Sequence, residues 1–120
     1  MKLIIGGAYQ GKTDFVRTAF GREPQICNEK TAMTAPAVNC FHLLIKSLLE
    51  QGADPQEFTK ELIAKNPNAI IICDEVGMGI VPLDKKDRLW RETVGRCLCL
   101  IAQESDYVSR ILAGIETRIK

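Results

Sequence analysis

The sequence predicts a single α/β domain, built as a doubly wound and mostly parallel sheet flanked by helices. Short apolar runs that end at glycines or acidic residues alternate with segments of helical periodicity, and this alternation is typical of parallel sheets. The chain has 120 residues, which is the length of one domain. The sequence contains no linker, internal repeat or low-complexity tract that would divide it.

The first half of the chain is predicted to begin with a buried strand and a helix. Residues 1–5 form an apolar run that ends at a glycine pair. Residues 13–20 are good helix formers followed by a glycine, and we expect Phe15, Val16 and Ala19 to face the sheet. The other elements expected in this half are short strands at 24–27 and 37–40, a loop at 28–36 and a helix at 41–51.

The second half is predicted to contain two further helices and two or three strands. Asp54 followed by Pro55 is a typical helix start, and this helix should run to about Lys65. Residues 69–73 are apolar at every position, which predicts a strand covered on both faces. The remaining expected elements are a helix at 85–105, a strand at 107–112 and an edge strand at 118–120. The side chains of the long helix expected to face the core are Leu89, Val94, Cys97, Leu98 and Ile101.

Composition excludes several classes of protein. Sixteen Lys and Arg residues against fifteen Asp and Glu give a net charge of +1, so no nucleic acid or anionic membrane is expected as a partner. No apolar run approaches the roughly 20 residues of a membrane span. Five cysteines without a C-x-x-C spacing or a signal peptide favour reduced, mostly buried thiols in a cytoplasmic protein, rather than a metal or redox site.

A glycine-rich motif follows the first predicted strand and opens the first predicted helix. It matches G-x-x-x-x-G-K-[ST], in which backbone N–H groups at a helix N-terminus surround phosphates. We expect Lys12 to reach the β- and γ-phosphates and the Thr13 hydroxyl to bind Mg²⁺. The alternative is an incidental glycine turn with a solvated lysine. The motif predicts a P-loop NTPase-like fold and a nucleotide-binding domain over residues 1–120. Its residues are Gly6, Gly7, Ala8, Tyr9, Gln10, Gly11, Lys12 and Thr13.

An acidic pair, Asp74 and Glu75, follows the apolar strand at 69–73. Open α/β sheets bind ligands at the carboxyl ends of their strands, so this position is typical of a functional site. Asp74 is predicted to hold Mg²⁺, directly or through water, and Glu75 to orient or deprotonate an attacking hydroxyl. The alternative is that the pair only caps a strand or begins a turn.

Three further features give weaker predictions. Gly77, Met78 and Gly79 form a loop that could close over a substrate or could be a simple turn. Arg88 and Arg91 share one helical face and either contact phosphate or lie on a solvated surface. The single histidine, His42, excludes a multi-histidine metal site, and we interpret it as a satisfied or surface histidine.

Residues 74–82 read D-E-V-G-M-G-I-V-P and resemble the N-E-V-G-M-G-I-V-P segment of the adenosylcobinamide kinase / adenosylcobinamide-phosphate guanylyltransferase family. The G-G-A-Y-Q-G-K-T motif is similar to the family's G-G-A-R-S-G-K-S. Further downstream, the family's R-x-F-R-D-x-x-G is matched by residues 88–92 and Gly95. The family's final strand, glycine and terminal lysine are matched by Asp106, Val108, Gly114 and Lys120.

The resemblance implies a protein of cobalamin biosynthesis or salvage whose substrate is a small molecule, a corrinoid. It implies Mg²⁺ and ATP or GTP, whose γ-phosphate is transferred to the aminopropanol hydroxyl of adenosylcobinamide. The family also transfers GMP through a guanylylated histidine, but residues 28–38 here replace the histidine-bearing segment, so we expect guanylyl transfer to be lost. Two alternatives are a non-catalytic nucleotide-binding paralogue that acts through a partner and a P-loop kinase or NTPase for another small substrate. A homo-oligomer is plausible.

Overall fold

A six-stranded sheet forms the centre of the computed structural model, which describes residues 1–76 and 84–120. Its strands, in chain order, are β1 (Lys2–Gly6), β2 (Gln25–Ile26), β3 (Ala37–Asn39), β4 (Ile70–Asp74), β5 (Tyr107–Leu112) and β6 (Ile115–Arg118). The α-helices within the same residues are α1 (Lys12–Phe20), α2 (Phe41–Glu50), α3 (Pro55–Lys65) and α4 (Lys85–Glu104).

The strand order in the sheet is β2–β3–β4–β1–β5–β6. The first five strands are parallel, and β6 runs antiparallel to β5. The first strand of the chain, β1, therefore lies between β4 and β5, and Gly6 pairs directly with Asp74. This register brings the carboxyl ends of β1 and β4 together, and ligands bind next to the carboxyl ends of the strands in folds of this kind.

Helices cover both faces of the sheet, as the sequence predicts for a doubly wound fold. On one face, Val16 of α1 packs with Ile4, Ile72 and Ile111. On the other face, residues of α2, α3 and α4 pack on Leu3, Ile71, Cys73 and Val108. Residues 70–73 of β4 are all buried, which confirms a strand covered on both sides. None of the helices in the described ranges is long and apolar enough to cross a membrane.

The helix α3 begins as its sequence predicts. The Asp54 carboxylate accepts hydrogen bonds from the backbone N–H groups of Gln56 and Glu57, and Pro55 occupies the first turn. A side-chain oxygen at this position satisfies backbone donors that have no partner within the helix, and proline there lacks the donor altogether. The boundary of α3 is therefore explained by local sequence alone.

The edge strand β6 differs from the prediction. It covers Ile115–Arg118 and not residues 118–120. Ala113 and Gly114 both have a left-handed backbone, with φ of 50° and 76°, and form a two-residue turn between Leu112 and Ile115. Such turns return the chain immediately into an antiparallel strand. The strand therefore begins directly after Gly114 and ends earlier than the sequence suggested.

Some predicted core positions are also wrong. Ala19 is exposed, and so is Leu89, whose side chain has 53% of its surface accessible. Near the start of α4 the core is contacted instead by the partly buried Trp90. The predicted loop at 28–36 contains one 3₁₀ turn over Thr31–Met33.

The five cysteines are free, but the prediction that most are buried is wrong. Cys73 and Cys97 are buried, Cys27 and Cys40 are partly buried, and Cys99 is exposed. Burial raises the pKa of Cys73 to about 12, because a thiolate is poorly solvated in the protein interior. The Cys73 thiol is therefore protonated and unreactive at neutral pH.

Candidate functional site

The loop between β1 and α1 has the backbone of an anion-binding site. Tyr9 and Gly11 adopt left-handed conformations, with φ of 61° and 92°. Alternating left- and right-handed residues direct successive N–H groups toward a common centre. Gly11 precedes α1 and supplies no side-chain cap, so the N–H groups at the start of the helix remain available to an anion.

Gln10 attaches this loop to the turn between β5 and β6. Its side-chain Oε1 accepts a hydrogen bond of 2.7 Å from the Ala113 N–H, and its backbone carbonyl accepts one of 2.8 Å from the Gly114 N–H. A Cβ on Gly11 would lie 3.4 Å from the Gly114 Cα, so the two segments are in close contact. Contacts with the turn between β5 and β6 thus stabilise the shape of the loop.

Lys12 connects the loop to the acidic end of β4. Its side chain is buried, and Nζ donates a 2.7 Å hydrogen bond to the Gly7 carbonyl. The same Nζ lies 2.7 Å from Oδ1 of Asp74. The structure therefore brings together Lys12, predicted to reach the phosphates, and Asp74, predicted to hold Mg²⁺.

His42, at the start of α2, lies against the opposite side of Asp74. Its Nδ1 accepts a 3.2 Å hydrogen bond from the backbone N–H of Asp74. Its Nε2 is 3.5 Å from Oδ2 of the same residue. Burial lowers the pKa of His42, while the Asp74 carboxylate acts in the opposite direction. A neutral ring that carries its proton on Nε2 fits both contacts, so His42 is satisfied, as predicted.

Glu75 has a partner that the sequence analysis did not identify. Its two carboxylate oxygens contact Arg110 of β5, at 2.8 Å from Nε and 3.0 Å from a terminal guanidinium nitrogen. The backbone N–H of Glu75 also donates a 3.0 Å hydrogen bond to the Gly6 carbonyl. This bidentate ion pair holds the Glu75 side chain across β1, which lies between β4 and β5 in the sheet.

The start of α4 also reaches the site. Trp90 donates a 2.7 Å hydrogen bond from its indole N–H to the backbone carbonyl of His42. Arg88 and Arg91 flank Trp90 on α4, where Arg88 is exposed and Arg91 is partly buried. The predicted substrate loop Gly77, Met78 and Gly79 lies outside the described residues.

The predicted magnesium ligands are of a suitable kind. Thr13 is the second residue of α1 and offers a hydroxyl, and Asp74 offers a carboxylate that is partly accessible. Mg²⁺ prefers oxygen ligands and is usually held by one or two protein side chains together with phosphates and water. Lys12 contacts only Oδ1 of Asp74 at hydrogen-bond distance. The other oxygen, Oδ2, faces Nε2 of His42 at the longer distance of 3.5 Å. Each carboxylate oxygen has further lone pairs, so the donor set fits Mg²⁺.

His42, Trp90 and Arg110 are the site residues that sequence reasoning missed. Each of these residues contacts a partner that is 32 to 48 residues away in the sequence, so the contact exists only in the folded chain. One signal was available for His42. It begins a helix that follows a predicted strand, and residues in that position lie at the carboxyl edge of a parallel sheet.

Protonation of His42 should destabilise the protein. Because burial lowers its pKa in the folded state, the unfolded chain binds the proton first as the pH falls through the ordinary value of 6.5. Stability should therefore decrease as the pH is lowered through 6.5 toward the folded-state pKa. Urea unfolding of the wild type and His42→Asn between pH 5 and 8 measures this effect. Asparagine keeps an acceptor near the position of Nδ1 but does not titrate.

The stability difference between the wild type and His42→Asn should shrink as the pH falls. Titratable groups that do not contact His42 are the same in both proteins, so their effects largely cancel in this difference. A difference that is constant from pH 8 to 5 would show that His42 is not buried as a neutral ring.

Comparison with known proteins identifies the family. The model of the cobinamide kinase / cobinamide phosphate guanyltransferase family matches residues 21–119. This match begins after the glycine-rich loop, so it is independent of the G-x-x-x-x-G-K-T motif. A search of curated proteins found no match. Since the family model covers most of the chain, the protein belongs to the cobinamide kinase / cobinamide phosphate guanyltransferase family.

Proposed function

We propose that the protein is a nucleotide-dependent kinase that phosphorylates the aminopropanol hydroxyl of adenosylcobinamide, with ATP or GTP as phosphoryl donor. The observation that carries this proposal is the 2.7 Å contact between Lys12 and Asp74. It joins a glycine-rich loop at a helix N-terminus to the carboxyl end of the neighbouring parallel strand. Family membership supplies the substrate class.

Phosphoryl transfer depends mainly on positioning and on neutralising negative charge. In the proposed complex, the N–H groups of the loop bind phosphate oxygens, and Lys12 turns from the Gly7 carbonyl toward the β- and γ-phosphates. Mg²⁺ held by Thr13 and Asp74 would supply further positive charge at these phosphates. Nucleotide binding and the ion pair with Asp74 then compete for Lys12.

Glu75 is proposed to orient the attacking hydroxyl. Both of its oxygens contact Arg110, but a carboxylate has further lone pairs and can also accept a hydrogen bond from a substrate hydroxyl. Orientation leaves the ion pair intact, whereas removal of the hydroxyl proton would place a neutral acid against the guanidinium. We therefore favour orientation of the hydroxyl over general-base catalysis for this residue.

Guanylyl transfer is proposed to be lost. The family's reaction needs a histidine that accepts the nucleotide, and the chain contains only His42. Both ring nitrogens of His42 face Asp74, and the side chain is buried. A nucleophilic nitrogen must be open to the α-phosphate, which this arrangement does not provide.

The proposal is tested with the purified chain, Mg²⁺, adenosylcobinamide and nucleotide labelled on the γ-phosphate. Label on cobinamide supports the kinase. Tight nucleotide binding without turnover would instead identify a non-catalytic paralogue that acts through a partner. Hydrolysis that adenosylcobinamide does not affect would indicate a kinase or NTPase for another substrate. In a parallel reaction with α-labelled GTP, neither the protein nor cobinamide phosphate should acquire label.

A further inference from the structure

The two side chains of the ion pair between Glu75 and Arg110 are unequally exposed. Only 13% of the Glu75 side chain is accessible, whereas 42% of the Arg110 side chain is accessible. The pair uses Nε and one terminal nitrogen of Arg110, and a guanidinium carries five N–H groups in all. Arg110 therefore has further donors that a second anion can reach from solvent.

Arg110 lies next to the start of the glycine-rich loop. It is the sheet partner of Ile5 in β1, and the following residue, Gly6, is the first of the G-x-x-x-x-G-K-T motif. The backbone N–H of Glu75 donates a 3.0 Å hydrogen bond to the Gly6 carbonyl. The ion pair thus crosses the carboxyl end of β1, where the loop that would bind the nucleotide phosphates begins.

Two acidic side chains at this position each face a cation. Asp74 lies 2.7 Å from Lys12, and Glu75 lies 2.8 Å from Arg110. A phosphoryl group adds about 1.5 to 2 negative charges to the hydroxyl that receives it. In the proposed reaction Glu75 contacts this same hydroxyl oxygen, so the new phosphate lies beside a carboxylate. A cation that neutralises the carboxylate and also contacts the phosphate would remove the repulsion between them.

We propose that Arg110 is a catalytic residue, which binds the phosphate as it forms on the acceptor hydroxyl. This inference rests on the proposed kinase function. The bond between the γ-phosphorus and the leaving oxygen of the nucleotide breaks, and its electron pair stays on the nucleoside diphosphate. A bond forms between the γ-phosphorus and the hydroxyl oxygen, and the hydroxyl proton passes through the product phosphate to water. Arg110 donates to the phosphate oxygens while its other N–H groups stay on Glu75.

The alternative is that Arg110 only holds Glu75 in place. Arg17 and Glu23, near the end of α1, form an ion pair of the same bidentate kind, with two contacts of 2.9 Å. Both of those side chains are well exposed, at 47% and 66%, and such pairs contribute little to stability. Arg110 differs because its carboxylate partner is largely covered and lies at the candidate site. The two arginines therefore form a matched pair for experiment.

The affinities for the phosphorylated and unphosphorylated acceptors test the proposal without turnover. Equilibrium dialysis of adenosylcobinamide phosphate and of adenosylcobinamide, followed by corrinoid absorbance, gives the two dissociation constants. We expect the wild type to prefer the phosphorylated form. Arg110→Gln should weaken binding of this form by about 10-fold or more, because charge-assisted hydrogen bonds are lost. The same substitution should change the affinity for the unphosphorylated form by less than about twofold.

Arg17→Gln is the matched control and should leave both dissociation constants unchanged. Arg110→Lys keeps a cation but not the planar fork, so it should weaken binding of the phosphorylated form selectively and by a smaller factor. Thermal unfolding shows whether each variant is folded, and Arg110→Lys decides the question if Arg110→Gln does not fold. Equal weakening of both forms by the Arg110 variants would indicate a structural role and overturn the proposal.

A second comparison separates direct contact with the phosphate from the loss of the partner of Glu75. Arg110→Gln leaves an unpaired carboxylate, which would itself repel the phosphate. This carboxylate is absent in Glu75→Gln. Adding Arg110→Gln to Glu75→Gln should still weaken binding of the phosphorylated form by at least about fivefold if the guanidinium contacts the phosphate. Equal affinities of Glu75→Gln and the double variant would overturn the contact.

The assay with γ-labelled nucleotide distinguishes failure of this inference from failure of the proposed function. Turnover by a wild type that binds both acceptors equally would support the kinase and overturn the role of Arg110. A preference for the phosphorylated form that depends on Arg110, without any turnover, would refute the kinase and support the phosphate contact.

Discussion

Replacing Lys12 with alanine should lower the rate of phosphoryl transfer to adenosylcobinamide by at least about 100-fold. The buried ammonium group contacts both the Gly7 carbonyl and Asp74, so the charge is held at the position where the loop would bind phosphates. Alanine at this position removes the cation that would stabilise the developing negative charge of the transition state. It also leaves the Asp74 carboxylate near the nucleotide without its ion-pair partner. Initial rates with γ-labelled nucleotide at saturating concentration measure this loss.

Lys60→Ala is the matched control for this experiment. Lys60 is an exposed residue of α3 that forms a 3.2 Å ion pair with Glu57, away from the loop. Its replacement removes the same charge and should leave the rate unchanged, because an exposed ion pair contributes little to stability. Thermal unfolding of Lys12→Ala shows whether it is folded. Full turnover by a folded Lys12→Ala protein would refute the proposed role of the loop.

Gly6→Ala should destabilise the fold by about 3 kcal/mol, which corresponds to a decrease in Tm of roughly 10 °C for a domain of this size. A Cβ at Gly6 would lie 2.5 Å from the backbone oxygen of Ile111 in the adjacent strand β5. Both atoms belong to the sheet, so neither can move without disturbing the pairing of β1 and β5. Urea and thermal unfolding measure the change.

Gly7→Ala is the control for this experiment. It distinguishes the effect of the contact between residue 6 and Ile111 from a general effect of replacing a loop glycine. The nearest atom to a Cβ at Gly7 is the Gln10 Cγ at 3.6 Å, which is an ordinary contact. The free energy of unfolding of the Gly7→Ala variant should therefore stay within about 1 kcal/mol of the wild-type value. Equal destabilisation by the two substitutions would show that the contact with Ile111 does not determine the requirement for glycine at position 6.

Much of the fold could be predicted because its signals are local. The apolar run of β4, the Asp54–Pro55 start of α3 and the glycine after α1 each specify an element within a few residues. The position of β6 could not be predicted in this way. Its turn needs Ala113 in a left-handed conformation that alanine rarely adopts, so only Gly114 was recognisable as a break.

The candidate site also contains some residues that local sequence identifies and others that it does not. Lys12 and Asp74 were both predicted, since each follows a strand and carries a recognisable motif, and the register of β1 with β4 places them together. The contacts of His42 with Asp74 and of Arg110 with Glu75 depend on the order of strands in the sheet. Local patterns do not specify this order, and the family resemblance, which the match over residues 21–119 confirms, carried no residue role for either.

The central place of β1 has a consequence for how the chain folds. The strand β1 pairs on one side with residues 70–74 and on the other with residues 107–110. It therefore has no neighbour in the sheet until much of the chain has been synthesised, and closing these long intervals costs entropy before any contact is gained. Folding is expected to be slow relative to helical proteins of similar length. The glycine-rich loop joins β1 to α1 and is hydrogen-bonded to the turn after β5, so it acquires its final shape only when β5 and this turn are in place.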